Sequence, residues 1–358
     1  MDEFSQRLNL IRTFLAQQQL DGLLLQRVSS FAWATCGAAS YVNVATTTGP
    51  AVLLITPQQH YLLTDNIEAG RLAHEENLAA QGWEFVLHNW YEPAANLERL
   101  TSGLRLGSDS PFGPAIDLSR ELARLRAQLT PVEADRLRRL GQTAATAMNR
   151  AIQTIEPGQT ELEIAAQLAA ATLAAGALPI VNLIASDERV YHYRHPLPTA
   201  RRLDRYAMLV LCARQLGLVC SITRLVHFGP LPDDLRRRAE AVAQIDAGYI
   251  RATRPGTPLA EIIRQGQLRY AQTGFGDEWR YHHQGGAAGY EPREYLGRPD
   301  AQEVVRAGQA FAWNPSVAGA KSEDTILVGE TENTILTTIP GWPVHMVGDL
   351  PRPAILVR

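Results

Sequence analysis

The stretch Glu156-Pro-Gly-Gln-Thr-Glu-Leu-Glu-Ile164 returns, at an offset of 98, as Arg254-Pro-Gly-Thr-Pro-Leu-Ala-Glu-Ile262. Pro157 and Pro255, Gly158 and Gly256, Glu163 and Glu261, Ile164 and Ile262, Gln167 and Gln265, and Gly176 and Gly274 align without a gap. Each copy reads as a helix, a Pro-Gly break, a capped second helix and a glycine stop. Two copies are too few for a solenoid. The repeat therefore predicts one domain with pseudo-twofold symmetry and a site between its halves. Within the first copy, Ile164 to Ala185 carries no charge and is long enough to span a bilayer. It is alanine-rich, starts at a capping signal and is broken by Gly176 and Pro179, so it predicts a buried helix followed by a buried strand.

Upstream of the repeat, Thr130-Pro131-Val132-Glu133 supplies a cap, proline at the first helical position and a glutamate that can reach back to the cap. A long helix should start there, and we place a domain boundary at Thr130, giving domains 1–129 and 130–358. In the first, Phe4, Leu8, Ile11 and Leu15 share one helix face, and Asp21-Gly22 ends that helix. Strands are expected at Leu23–Leu25, at Ala51–Thr56 and Tyr61–Thr64 as a pair joined across Pro57-Gln58-Gln59, and near Glu84–Leu87 and Leu104–Leu106. Helices are expected around Ile67–Glu76 and from about Ile116 to Leu129. This first segment is a mixed α/β unit.

The composition sets outer limits. A chain of 358 residues at 46% hydrophobic can bury sizeable cores, which excludes disordered, collagen-like and disulfide-stapled classes. A net charge of −3 and a pI near 6.3 give no electrostatic reason to expect nucleic acid or an anionic membrane as partner. Cys36, Cys212 and Cys220 form an odd, sparse set, and Met1-Asp2-Glu3 is not a basic leader, so a cytoplasmic location is expected. Of the 34 basic residues, 33 are arginine; the one lysine is Lys321.

Four stretches of the second segment, taken in order, resemble the pita-bread family of creatinase, prolidase, Xaa-Pro aminopeptidases and methionine aminopeptidases. Ser221-Ile-Thr-Arg224 resembles the family's S-D-I-T-R strand without its aspartate, and Gly285-Gly-Ala-Ala-Gly289 resembles G-H-G-I-G without its histidine. Asn314-Pro315 stands where the family writes Glu-Pro, and Ser322-Glu-Asp-Thr-Ile-Leu-Val328 resembles the closing I-E-D-T-V-L-V strand. The resemblance implies an α+β architecture: a small N-terminal creatinase-like α/β domain followed by a duplicated pita-bread domain. It also implies two divalent metals held by two Asp, one His and two Glu, a donor set suited to hard or borderline cations. Carried over position by position, those ligands fall on Val210 (or Cys212), Ser221, Gly286, Asn314 and Glu323. Only Glu323 keeps a metal-binding side chain, so no metal or other cofactor is expected.

What survives is polar. The resemblance places His195 at the family's substrate-facing histidine, with His192 as its rival, Arg293-Glu294 on a His-Glu pair, and Lys321 where prolidases carry an arginine. Arg224, His283, Trp313 and Asn314 complete the expected pocket. His282 and His283, if on a strand, would point to opposite faces, so at most one should enter it. Lys321 and Glu323, two apart, would share a face, and Lys321 or Arg224 is expected to pair the glutamate.

Three functions are compatible with these residues. The first is a creatinase-like, metal-independent hydrolase of a C–N bond in a small zwitterion or peptide. There His195, Glu323 and Glu294 would be the catalytic set, and Lys321, Arg293 and Asn314 would hold a carboxylate or oxyanion. The second is an inactive binding module. The third is an Xaa-Pro peptidase with an atypical metal site of His195, His283, Glu294 and Glu323. Relatives of this type imply a homodimer and a small-molecule or short-peptide partner.

Overall fold

Asp2 accepts a hydrogen bond from the Ser5 N–H (2.9 Å) and so caps a helix over Glu3–Gln18, whose Leu8, Ile11, Phe14 and Leu15 are buried. This is the first element of a computed structural model that describes residues 2–92 and 95–358. The chain divides into two compact units, one ending at Arg126 and the other starting at Ala127, three residues before the expected boundary at Thr130.

The first unit is built on a six-stranded mixed sheet. Strand Gly22–Arg27 lies near its centre, antiparallel to Thr48–Ile55 and parallel to Leu106–Ser108. Thr48–Ile55 and His60–Asp65 form the expected strand pair. Two short helices, Val28–Ala34 and Ala95–Thr101, lack a readable stripe and went unpredicted. The helix expected from Ile116 is a correction. Ile116–Asp117 is a short strand beside Leu106–Ser108, the Leu118 N–H donates to the Ser108 carbonyl (2.8 Å), and the helix runs only over Ser119–Arg126. The Asp117 carboxylate accepts from the Ser119 N–H (2.9 Å), which turns the chain before the helix can begin.

In the second unit the repeat is visible as geometry. Helix Pro131–Thr154 is followed by helix Glu161–Ala174, and helix Asp233–Ala252 by helix Leu259–Gln272. The intervening breaks use Gly158 and Gly256 at φ 92° and 86°, a region where only glycine is free of strain. The uncharged run becomes helix Glu161–Ala174 and strand Leu178–Ser186. Among the described residues no helix is long and apolar enough to cross a membrane.

The two copies differ at their caps. Thr160 and Glu163 form a full capping box, as do Thr130 and Glu133. In the second copy Pro258 stands at the cap position, has no donor or acceptor side chain, and Glu261 pairs with Arg264 instead. The expectation of two capped copies is thus corrected: proline fixes the entry angle without a capping bond.

Each half contributes a sheet. Strands Leu178–Ser186, Tyr206–Gln215 and Leu218–His227 run antiparallel in a four-stranded sheet edged by Leu356–Val357. Gly285–Ala288, Ala310–Trp313 and Asp324–Val328 are the centre of a five-stranded one. The sheets meet at a bridge between Thr223 and Glu323, where the Thr223 N–H donates to the Glu323 carbonyl (3.1 Å). Replacing Thr160 with Ala should lower the free energy of unfolding by about 1 kcal/mol, the usual worth of such a cap, as measured by urea denaturation.

Candidate active site

The bridge that joins the sheets also places the site. Glu323 follows the short strand Ala320–Lys321 and is buried, so its charge must be met by the protein. Its Oε2 accepts from Lys321 Nζ (2.8 Å) and from the Thr223 hydroxyl (2.6 Å), and its Oε1 accepts from the Arg293 guanidinium (3.0 Å). Burial alone would raise this carboxyl, but Lys321 and Arg293 outweigh it and hold it at about 2. Arg293 also donates to the Ser221 hydroxyl (3.1 Å), which lies 3.2 Å from the Cys212 thiol.

Beside this cluster stand three imidazoles. His195 Nε2 lies 3.2 Å from His282 Nε2, His282 Nδ1 lies 3.1 Å from the Ser316 hydroxyl, and the ring centroids of His283 are 5.6 Å from His195 and 4.7 Å from His282. Burial pushes all three pKa values down. Lys321 adds to the effect on His195 and His282, and Arg293 to that on His283, which reaches about 4. All three rings are therefore neutral near pH 7. Asn314 Nδ2 is 3.5 Å from His282 Nε2. An ion pair between Arg194 and Glu278 ties the residue before His195 to the 3-10 turn Glu278–Tyr281 that leads into His282.

Several expected positions are corrected. His282 and His283 are not on a strand, since pairing begins only at Gly285, and both rings reach His195. Trp313 is fully buried, stacks on Tyr249 at 4.8 Å and donates to Thr253 (2.9 Å), so it belongs to the core. Arg224 does not pair the Glu323 carboxylate. It binds Asp324 (2.8 Å), which with Arg352 and Asp246 forms a second buried ionic layer. The Glu294 carboxylate accepts from the Tyr290 N–H (2.8 Å), within the turn that follows Gly285–Ala288. His192 ends helix Glu188–His192 with its ring against Tyr193, while His195 meets His282. Ser316, Thr223, Arg194 and Glu278 were missed. Their partners are 34 to 100 residues away; only Thr223 lies in a recognisable stretch, Ser221–Arg224, which does not say what it pairs with.

The residues present do not fit the two-metal centre that the resemblance implies. Val210 and Cys212 oppose Thr223 and Ser221 across a ladder and offer no carboxylate. At Gly286 a Cβ would meet the Tyr295 carbonyl at 2.1 Å, so the position has no room for a histidine on this backbone. Asn314 is an uncharged amide, and both Glu323 oxygens already face cations.

Paired helices over two sheets, with a polar site where the sheets meet, define a creatinase-like α/β unit followed by a pita-bread domain. The chain belongs to metallopeptidase family M24, whose family model matches residues 135–330; the creatinase/prolidase N-terminal domain matches residues 7–138. An uncharacterized peptidase of Staphylococcus aureus is 25% identical over 267 residues, 71% of this chain and 73% of its own length. The Xaa-Pro dipeptidase from Bacillus anthracis superposes with a TM-score of 0.81 at 20% identity, covering 99% of this chain and 100% of that one. Recombinant prolidase from Thermococcus sibiricus gives 0.82 at 15% identity over 100% of both chains.

Because the folded value of Glu323 lies below its ordinary value of 4.5, its contribution to stability is complete above that value and is lost as pH falls toward 2. Glu323→Gln leaves Lys321 and Arg293 unpaired and should cost about 3–5 kcal/mol at neutral pH. Urea unfolding of both chains at pH 7 and pH 3 should show this gap narrowing at the lower pH.

Proposed function

We propose that this member of a peptidase family hydrolyses a C–N bond in a small zwitterion or short peptide without the family's metal pair. The observation that carries the reading is the juxtaposition of neutral, mutually contacting His195 and His282 with the cations that flank Glu323. His195 is exposed on its loop, so it can reach a water molecule, while His282 is buried and oriented by Ser316. His195 takes a proton from water as the oxygen adds to the scissile carbon, and returns it to the nitrogen as the C–N bond breaks.

Two cations facing one carboxylate leave this cluster with net positive charge. Arg293 Nε is buried and has no partner among the described residues, an arrangement that leaves a charge-assisted donor for a ligand. A substrate carboxylate or the oxyanion of the addition step would satisfy it, with Asn314 as a further amide contact. Glu323 is then an anchor for Lys321 and Arg293 rather than a base, because a carboxyl held at about 2 accepts a proton poorly at neutral pH. The names of the Xaa-Pro dipeptidase and prolidase neighbours favour short peptides as the first compounds to test.

The test is a panel of Xaa-Pro, N-acyl and amidino compounds, incubated with protein in chelator and analysed for released amine. Turnover is expected, and His195→Ala should lower it by about 10²–10⁴-fold while binding of the same compound, measured by calorimetry, changes little. Turnover that requires added metal contradicts the metal-independent reading. Saturable binding with no product from any compound replaces it with a binding module.

A further inference from the structure

The three imidazoles form a constellation that hydrolysis through one base does not require. We propose that His195, His282 and His283 constitute a mononuclear site for a borderline divalent cation such as Zn²⁺, distinct from the five positions at which the family resemblance places a metal pair. One ring nitrogen from each of the three lies within 4.8 Å of the other two. A tetrahedral zinc ion with Zn–N bonds of about 2.0–2.1 Å sets its ligand nitrogens roughly 3.3 Å apart. His195 Nε2 and His282 Nε2, at 3.2 Å, already have that separation. The His283 nitrogen, within 4.8 Å of both, must move closer to complete the triangle.

The surroundings supply what such a site needs beyond its ligands. If His282 donates its Nδ1–H to Ser316 Oγ (3.1 Å), its Nε2 lone pair points at His195 Nε2, and this orienting bond is the usual second-sphere partner of a metal-bound imidazole. Asn314 has its Nδ2 3.5 Å from the same His282 nitrogen, and its Oδ1 is buried with no partner among the described residues. A half-turn of that amide exchanges the two atoms and directs a carbonyl oxygen to the same point. Lys321 and Arg293 repel a cation, and Glu323, at 2.8 and 3.0 Å from them, offsets only one of their two charges, so the imidazole donors must outweigh one remaining positive charge. The rings come from two separate segments, the loop at His195 and the residues after the Glu278–Tyr281 turn, and the Arg194–Glu278 ion pair fastens those segments together. Imidazole donors select zinc-like ions over magnesium or calcium, which prefer oxygen. Occupancy uses the His195 lone pair, so a loaded site and a His195 base exclude one another.

The experiment is calorimetric titration of the metal-stripped full chain with ZnCl₂, repeated with CoCl₂ to record the visible spectrum. Saturable uptake of one ion per chain is expected, with the intense absorption of a low-coordinate cobalt centre. Ser316→Ala should weaken uptake by about 10–100-fold, the usual loss for an orienting partner. His283→Ala should weaken it by at least as much, with an unchanged thermal midpoint in metal-free buffer. His195→Ala, on an exposed loop, repeats the test should His283→Ala fail to fold. Absence of saturable uptake, or uptake that neither histidine variant alters, overturns the proposal. Neither result bears on turnover in chelator, so the hydrolase reading stands or falls separately.

Discussion

A carboxylate sealed away from water must be neutralised by its neighbours, and Glu323 is where this chain meets that demand. The same side chain accepts from Lys321, Arg293 and Thr223, which come from a hairpin, a turn and the opposite sheet. Its backbone carbonyl receives the Thr223 N–H that joins the sheets. Glu323 therefore links the seam of the pita-bread domain, which Ser221–Thr325 and Arg224–Asp324 also hold, to the positive rim of its site. Removing the carboxylate would leave two buried cations without a counter-charge, which costs far more than an exposed ion pair is worth.

The next residue faces the other way and solves the same problem separately. Asp324 is met by Arg224 and Arg352, and Arg352 also binds Asp246 on the long helix Asp233–Ala252. Alternation along the strand thus sends one carboxylate to the site and the next to a structural layer. This explains why Arg224, adjacent in sequence to Thr223, pairs with Asp324 and reaches only the backbone carbonyl of Glu323 (3.3 Å). Both acids of the closing Glu-Asp-Thr stretch thus balance buried arginine or lysine.

How much of this could be read in the sequence depends on distance along the chain. The helix pairs were legible because Pro-Gly breaks and capping boxes are local, and the family resemblance followed from four ordered stretches that together frame the second unit. The Lys321–Glu323 pair was legible because two residues of one segment set its geometry. The rest depended on partners far away. Arg224 and Arg293 are both arginines near Glu323 in the fold, and only the strand direction decides which meets its carboxylate. Trp313 sits next to Asn314, yet alternation buries one against Tyr249 and leaves the other beside His282. His282 and His283 escape strand alternation because they lie between the Glu278–Tyr281 turn and the first paired strand residue, Gly285. That segment leaves a 3-10 turn, and its two rings gather on one side.

Lys321 and Arg293 neutralise the buried Glu323 carboxylate and hold it ionised. The most direct measurement is a ¹³C NMR titration of the Glu323 carboxyl in glutamate-labelled protein, with the resonance assigned by its loss in Glu323→Gln. The account predicts a carboxylate that stays ionised far below the ordinary midpoint of 4.5, toward about 2 or until the chain unfolds. A carboxyl that takes up its proton at or above 4.5 in the folded chain would contradict it.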